Sequence, residues 1–82
     1  MDKNLKNILT INNLPIGKKG KIKTINGGYG LIQKLDSLGI REGIEIARIS
    51  TQWMKGPVTI RYGNSEVAIG HNMAMKIMVE PV

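Results

Sequence analysis

Apolar residues recur with a helical period at only one place in the chain. Leu31, Leu35 and Leu38 stand at i, i+4 and i+7 and so share a face, while Gln33, Lys34, Asp36 and Ser37 turn towards water. The spacing predicts a helix from about Gly30 to Leu38. Gly39 falls where helices end on a left-handed residue, a conformation that glycine adopts without a Cβ penalty, which makes Leu38 the C-cap. Ile40 then occupies the position that packs back on Leu35 in a Schellman ending. The run Leu38-Gly39-Ile40 therefore stops the helix and sends the chain back over its apolar face.

Elsewhere the pattern is that of short strands. Residues 20–25 form the first, with Ile22 and Ile25 out of period-two register, which predicts a bulge between them. Gly27 and Gly28 turn this strand into the helix, and Gly43 makes the next turn. Ile44 and Ile46 then lie on one face and Ala47 and Ile49 on the other, as in a strand that bends across a small core or is covered by the helix. Pro57 cannot pair in a ladder, so it marks the start of the following strand. Val58, Ile60 and Tyr62 alternate with Thr59 and Arg61, Gly63-Asn64 supplies a tight hairpin turn, and Val67 and Ile69 resume the inward positions. Residues 70–76 allow one helical turn with Asn72 as its N-cap, and Ile77 and Val79 make the last strand. Upstream, Leu14 and Ile16 plug the bottom of the barrel from a turn-rich segment. Residues 1–8 read as a flexible arm ahead of a single domain, 9–82. The fold class expected is mainly β: an SH3-like barrel of five strands with one inserted helix and a short helical turn before the last strand. A five-stranded OB-fold is the nearest competitor.

Composition narrows this picture. With 82 residues and no Phe, the core is thin and rests on thirteen Ile, whose β-branching favours strands over a bundle. Cysteine is absent, which excludes disulfides, thiol nucleophiles and thiolate ligands. No apolar run approaches the ~18 residues of a membrane span, and the N-terminal residues lack the apolar core of a signal peptide, so the chain is expected to be cytoplasmic. Twelve Lys and Arg against six Asp and Glu give a net charge of +6, which permits attraction to anionic partners. Lys18, Lys19, Lys21 and Lys23 cluster at the first strand, where they are expected to guard a sheet edge.

Catalytic inventory is lacking. His71 is the one histidine, beside a turn, where a surface or capping role is expected, and Asp36, Glu42, Glu45, Glu66 and Glu80 are scattered without paired spacing. No enzyme activity, metal site or cofactor is expected. Met73, Met75 and Met78 fit core or groove positions better than metal ligation. The glycines before the helix fail both phosphate-loop patterns, since Leu31 and Ile32 follow Gly30 and Gln33 stands where a dinucleotide motif needs glycine.

The ordered set Leu14-Pro15-x-Gly17-x-x-Gly20-x-Ile22, Ile25-x-Gly27-Gly28, Leu35-x-x-Leu38-Gly39-Ile40-x-x-Gly43, Gly56-Pro57-Val58, and Val67-Ala68-Ile69 with Ala74-x-x-Ile77-x-Val79 resembles the ferrous iron transport protein A (FeoA) family. The likeness runs from about Leu9 to Val79. It implies an SH3-like cytoplasmic accessory protein of bacterial ferrous iron uptake that acts with the membrane transporter FeoB, whose cytoplasmic part binds GTP. A related domain forms the C-terminal part of diphtheria-toxin-repressor-type metal regulators. The chain has no room for a helix-turn-helix, so the free-standing form is expected.

A partner surface is read from exposed apolar area. Trp53 and Met54, in the loop before Gly56-Pro57, are the candidate anchor with Lys55 at its rim, and Tyr29 at the turn into the helix is the second candidate. The alternative for Trp53 is a cap on the thin barrel. The competing function is a small basic barrel binding nucleic acid, which the spread of Tyr29, Trp53 and Tyr62 over a turn, a loop and a strand disfavours, since base-stacking barrels set aromatics on one face. No specific nucleic acid and no membrane insertion are expected. Weak self-association is left open.

Overall fold

The computed structural model describes residues 8–49 and 56–82. Six strands, two helices and one 3₁₀ turn follow in order: β1 (Leu9–Thr10), the 3₁₀ turn (Ile11–Asn13), β2 (Lys19–Ile25), α1 (Tyr29–Ser37), β3 (Glu45–Arg48), β4 (Val58–Tyr62), β5 (Ser65–Ile69), α2 (His71–Ala74) and β6 (Ile77–Pro81). The strands form one antiparallel sheet in the order β1-β6-β2-β3-β4-β5. No pairing joins β1 to β5 among the described residues, so the barrel is open along that line. No helix among the described residues is long and apolar enough to cross a membrane.

The mainly β, SH3-like architecture is as expected, with one strand more. β1 pairs Leu9 with Val79 and Thr10 with Met78, and two residues are too few to show a period in sequence. The inserted helix starts one residue earlier than predicted, at Tyr29, and ends at Ser37 with Leu38 as its C-cap. In β2 the register against β6 shifts between Ile22 and Thr24, and this bulge lets both Ile22 and Ile25 point inward. The core is almost wholly aliphatic: Ile22, Ile46, Val58, Ile60, Ile77 and Val79 come from the sheet, and Ile11, Leu14, Leu35 and Ile40 close it from outside. Leu14 plugs as expected, whereas Ile16 is half exposed, because Pro15 to Lys18 forms a turn (Lys18 N–H to Pro15 C=O, 3.0 Å) that lifts it off the core.

The lysine cluster does not guard an edge. β2 lies inside the sheet between β6 and β3, and Lys19, Lys21 and Lys23 stand on its outer face. Lys21 is directly opposite Glu45 on one side and Glu80 on the other, and Lys23 Nζ lies 3.5 Å from Glu80. Lys21 and Lys23 therefore sit in cross-strand acid–base rows.

Candidate interaction surface

The surface is built on α1, which is pinned at both ends. At its start, Leu31 lies so close over Gly27 that any Cβ there would overlap it. At its end, Gly39 has φ +87°, its N–H donates to Asp36 C=O (2.9 Å), and Ile40 N–H donates to Leu35 C=O (2.9 Å). These are the two bonds of the Schellman motif. The Tyr62 ring from β4 rests on Gly39, where a Cβ would come within 2.8 Å of the Tyr62 hydroxyl oxygen. Leu35 and Ile40 are fully buried, and Leu31 is partly buried against them. Leu38 does not complete the stripe: it is 39% exposed, because the chain reverses at that point and Ile40 takes the inward place.

With its inner face fixed, the helix presents Tyr29 outward. Tyr29 is 77% exposed, and Gln33 Nε2 donates to its hydroxyl at 2.7 Å from one turn on. That bond orients a large aromatic on a rigid support. Ile32, three residues on and therefore adjacent on the helix surface, is 42% exposed. It forms one wall of a groove of about 350 Å³ lined with Ile25, Arg41 and Glu42. Arg41 Nε donates to Asp36 Oδ1 at 2.7 Å, which holds the cation at the groove's rim. The result is an exposed Tyr and Ile pair next to a part-apolar groove with one basic and one acidic wall.

A second cavity, about 300 Å³, opens on the outer sheet face between Lys19, Glu45, Ala47, Arg61 and Tyr62. Arg61 Nη2 donates to Glu66 Oε2 at 2.8 Å beside it.

Of the residues singled out from sequence, Tyr29 stands on the surface as expected. Trp53, Met54 and Lys55 lie outside the described residues. Gly27, Gly39 and Gly43 occupy the turns assigned to them, Gly43 with φ +96°, and Pro57 precedes β4. Gly28 also lies in the turn from β2 into α1, as the N-cap of the helix, with φ −75° and ψ 177°, an extended conformation that any residue adopts. Gly70, not Asn72, is the N-cap of α2, since the helix begins at His71. His71 is half-buried, and the Asn12 side-chain nitrogen lies 3.1 Å from its Nδ1. An amide nitrogen only donates, so Nδ1 accepts. Met73 packs against the core, while Met75 is 51% exposed. Among the described residues no three His, Asp or Glu side chains are grouped so as to hold a metal ion.

Sequence reasoning missed Ile32, Arg41 and the interior role of Arg48. Arg48 is 8% exposed and its Nη1 donates to the carbonyls of Asn12 (2.7 Å) and Leu14 (2.9 Å). Its parity with Ile44 and Ile46 is the signal that points it inward. For Ile32, the signal is its place beside the leucine stripe, on a helix too short to bury both.

Residues 9–81 match the FeoA domain family. A relative from Methanocaldococcus jannaschii, named as an Fe(2+) transport protein A, is 43% identical over 70 residues, covering 82% of this chain and 83% of its own. A crystal structure of an iron uptake regulatory protein (FeoA) superposes with a TM-score of 0.84 at 31% identity, over 92% of this chain and 99% of that one. A manganese-dependent transcriptional repressor shares the fold over 42% of its length, with a TM-score of 0.81 at 14% identity and 92% of this chain covered.

Proposed function

The chain belongs to the FeoA family, and on that premise we propose that it is a non-enzymatic, cytoplasmic accessory protein of ferrous iron uptake, acting by contact with the cytoplasmic GTP-binding part of a FeoB-type transporter. The observation that carries this reading is the exposed Tyr29–Ile32 face beside its groove, on a helix whose other face is locked into the core. Aromatic side chains held rigidly on a surface lose little conformational freedom on binding, which suits them as anchors. The outer sheet face supports a protein partner over a nucleic acid, because Lys21, Lys23 and Arg61 are set against Glu45, Glu80 and Glu66.

Titration of the chain against the transporter's cytoplasmic domain by calorimetry tests this. Tyr29→Ala is expected to weaken binding by about 2 kcal/mol or more with an unchanged melting midpoint. Trp53→Ala in the same titration tests the anchor read from sequence, Trp53 and Met54 with Lys55 at its rim. Absence of any heat with the unmutated chain, or full affinity in both variants, overturns the reading. In the same role iron is the transporter's cargo, so anaerobic titration of the isolated chain with Fe(II) is expected to give no saturable isotherm. One-to-one binding abolished by His71→Ala would refute that.

A further inference from the structure

Among the described residues, the outer edge of β5 has free backbone groups and no guard. Which groups are free follows from the register. Ile49 N–H donates to Thr59 C=O at 3.1 Å, so Thr59 and Arg61 turn their backbone groups to β3, and Val58, Ile60 and Tyr62 turn theirs to β5. Their opposite numbers are Ile69, Val67 and Ser65. In an antiparallel ladder, directly opposed residues that face each other exchange both bonds, and the alternate residues point away. Glu66 and Ala68 therefore hold their N–H and C=O out from the sheet. Among the described residues β4 is the only strand that pairs with β5, and no turn or loop bond reaches Glu66 or Ala68. Both residues are exposed.

Sheet edges are ordinarily blunted by shortness, proline, lysine or a bulge. β1, at the opposite edge, is blunted by its two-residue length. β5 runs five residues in unbroken register, with neither Pro nor Lys. Its one charge, Glu66, is engaged by Arg61 of the neighbouring strand.

We propose that β5 is a self-association strand, through which two copies of this chain pair edge to edge in antiparallel fashion about a two-fold axis at Val67. The register argues for a second copy as the occupant. With Val67 opposite Val67, Glu66 of each copy meets Ala68 of the other, all four outward N–H groups find acceptors, and no like charges oppose. Of the two slips by one residue pair, one sets Glu66 against Glu66, which like-charge repulsion disfavours, and the other sets Ala68 against Ala68 and Glu66 against Gly70, beyond the end of β5, so it pairs fewer strand residues. Val67 is half-buried against the core, so its meeting with its copy continues the apolar interior across the junction. A single strand pairing buries far less than the roughly 1,600 Å² of a stable interface, and each copy carries a net charge of +6. The dimer is therefore weak and is favoured by added salt, which screens that repulsion.

Sedimentation equilibrium of the full chain from micromolar to millimolar protein, at low and high salt, reads this directly. Monomer at the low end is expected, with dimer at the high end and more of it in salt. Ala68→Pro removes an outward N–H while sparing the ladder to β4, a substitution tolerated at an edge, and is expected to abolish the dimer. Amide exchange on the unmutated chain gives a readout that does not depend on the variant folding: the Glu66 and Ala68 amides should gain protection as concentration rises. Monomer throughout, an undiminished dimer in Ala68→Pro, or protection arising on α1 instead overturns the proposal. Protection of these amides only when the transporter's cytoplasmic domain is added would likewise overturn it, by assigning the edge to a different occupant. Tyr29→Ala leaves this dimer unchanged, so its failure and that of the transporter reading are distinguishable.

Discussion

The end of α1 and the junction of β3 with the 3₁₀ turn both fasten a crossing segment to the core, with opposite materials. At the helix end the contacts are apolar and, apart from the Tyr62 ring that β4 lays on Gly39, local: Leu35, Gly39 and Ile40, with backbone bonds spanning three to five residues. At the junction they are polar and distant in sequence. Arg48 sends Nη1 to the carbonyls of Asn12 and Leu14, its own N–H to Lys18 C=O (3.1 Å), and accepts from Gly17 N–H (2.6 Å), while Asn12 reaches on to His71 at the start of α2. Arg48 Nε and Asn12 Oδ1 are buried without a partner among the described residues. The apolar fastening tolerates change wherever space allows. The polar one holds several segments through a single side chain, and a buried cation with only carbonyl acceptors has already lost its hydration, so its loss is expected to spread.

Arg48→Ala is the largest expected effect. It orphans two carbonyls bonded to a charged donor and leaves a cavity, which together cost about 3 to 5 kcal/mol. Arg48→Met fills most of the volume and recovers the desolvation cost of the charge, so about half that loss is expected. Urea unfolding with slopes compared across the variants measures both. A loss below about 1 kcal/mol for the alanine variant would show that the junction is held by its apolar neighbours and would erase the contrast.

This contrast also divides what the sequence reveals from what it hides. The Schellman ending was legible because its rule needs only consecutive residues, and the β2 bulge because Ile22 and Ile25 break a two-residue period. For Arg48 the parity with Ile44 and Ile46 points inward, but what makes a charge tolerable there is not legible, because its acceptors lie 34 and 36 residues away. The lysines of β2 misled for the same reason. Whether a strand is an edge depends on where β6 returns, a long-range fact that local pattern does not carry. Of the candidate surface, Tyr29 was legible from its place at a turn, whereas the groove needs Ile25 from the end of β2, Ile32 from within α1 and Arg41 from the turn after it.

Gly39→Ala sharpens the apolar side of the comparison. Sequence alone assigns about 1 kcal/mol to its positive φ. The Tyr62 ring adds a collision, since a Cβ would lie 2.8 Å from the hydroxyl oxygen and 2.9 Å from Cε2, and overpacking of this kind raises the expected total to about 2 to 3 kcal/mol. Gly43 has a similar φ of +96° with open space around it, so Gly43→Ala should show the conformational part alone, near 1 kcal/mol. A double-mutant cycle with Tyr62→Ala should return Gly39→Ala to that same value. Equal losses at Gly39 and Gly43 in the unmutated background would mean that the Tyr62 ring swings away at no cost.

The smallest expected effect has the opposite sign and falls at the other end of α1. Gly28 is the N-cap, its φ of −75° and ψ of 177° match those of ordinary capping residues, no side chain caps the helix, and a Cβ there would meet nothing within 4 Å. A serine at this position can place its hydroxyl oxygen on the free N–H groups of the first turn and also lowers the entropy of the unfolded chain. Gly28→Ser should therefore stabilise by roughly 0.3 to 1 kcal/mol. Neighbouring Gly27 provides the internal control, because Gly27→Ser drives a Cβ into Leu31 and should destabilise despite lying one residue away. Melting curves of the two variants in parallel decide the matter: a loss at both positions would mean that the turn into α1 needs glycine for its backbone, and a gain at both would mean that Leu31 is not fixed over Gly27 as the helix's first anchor.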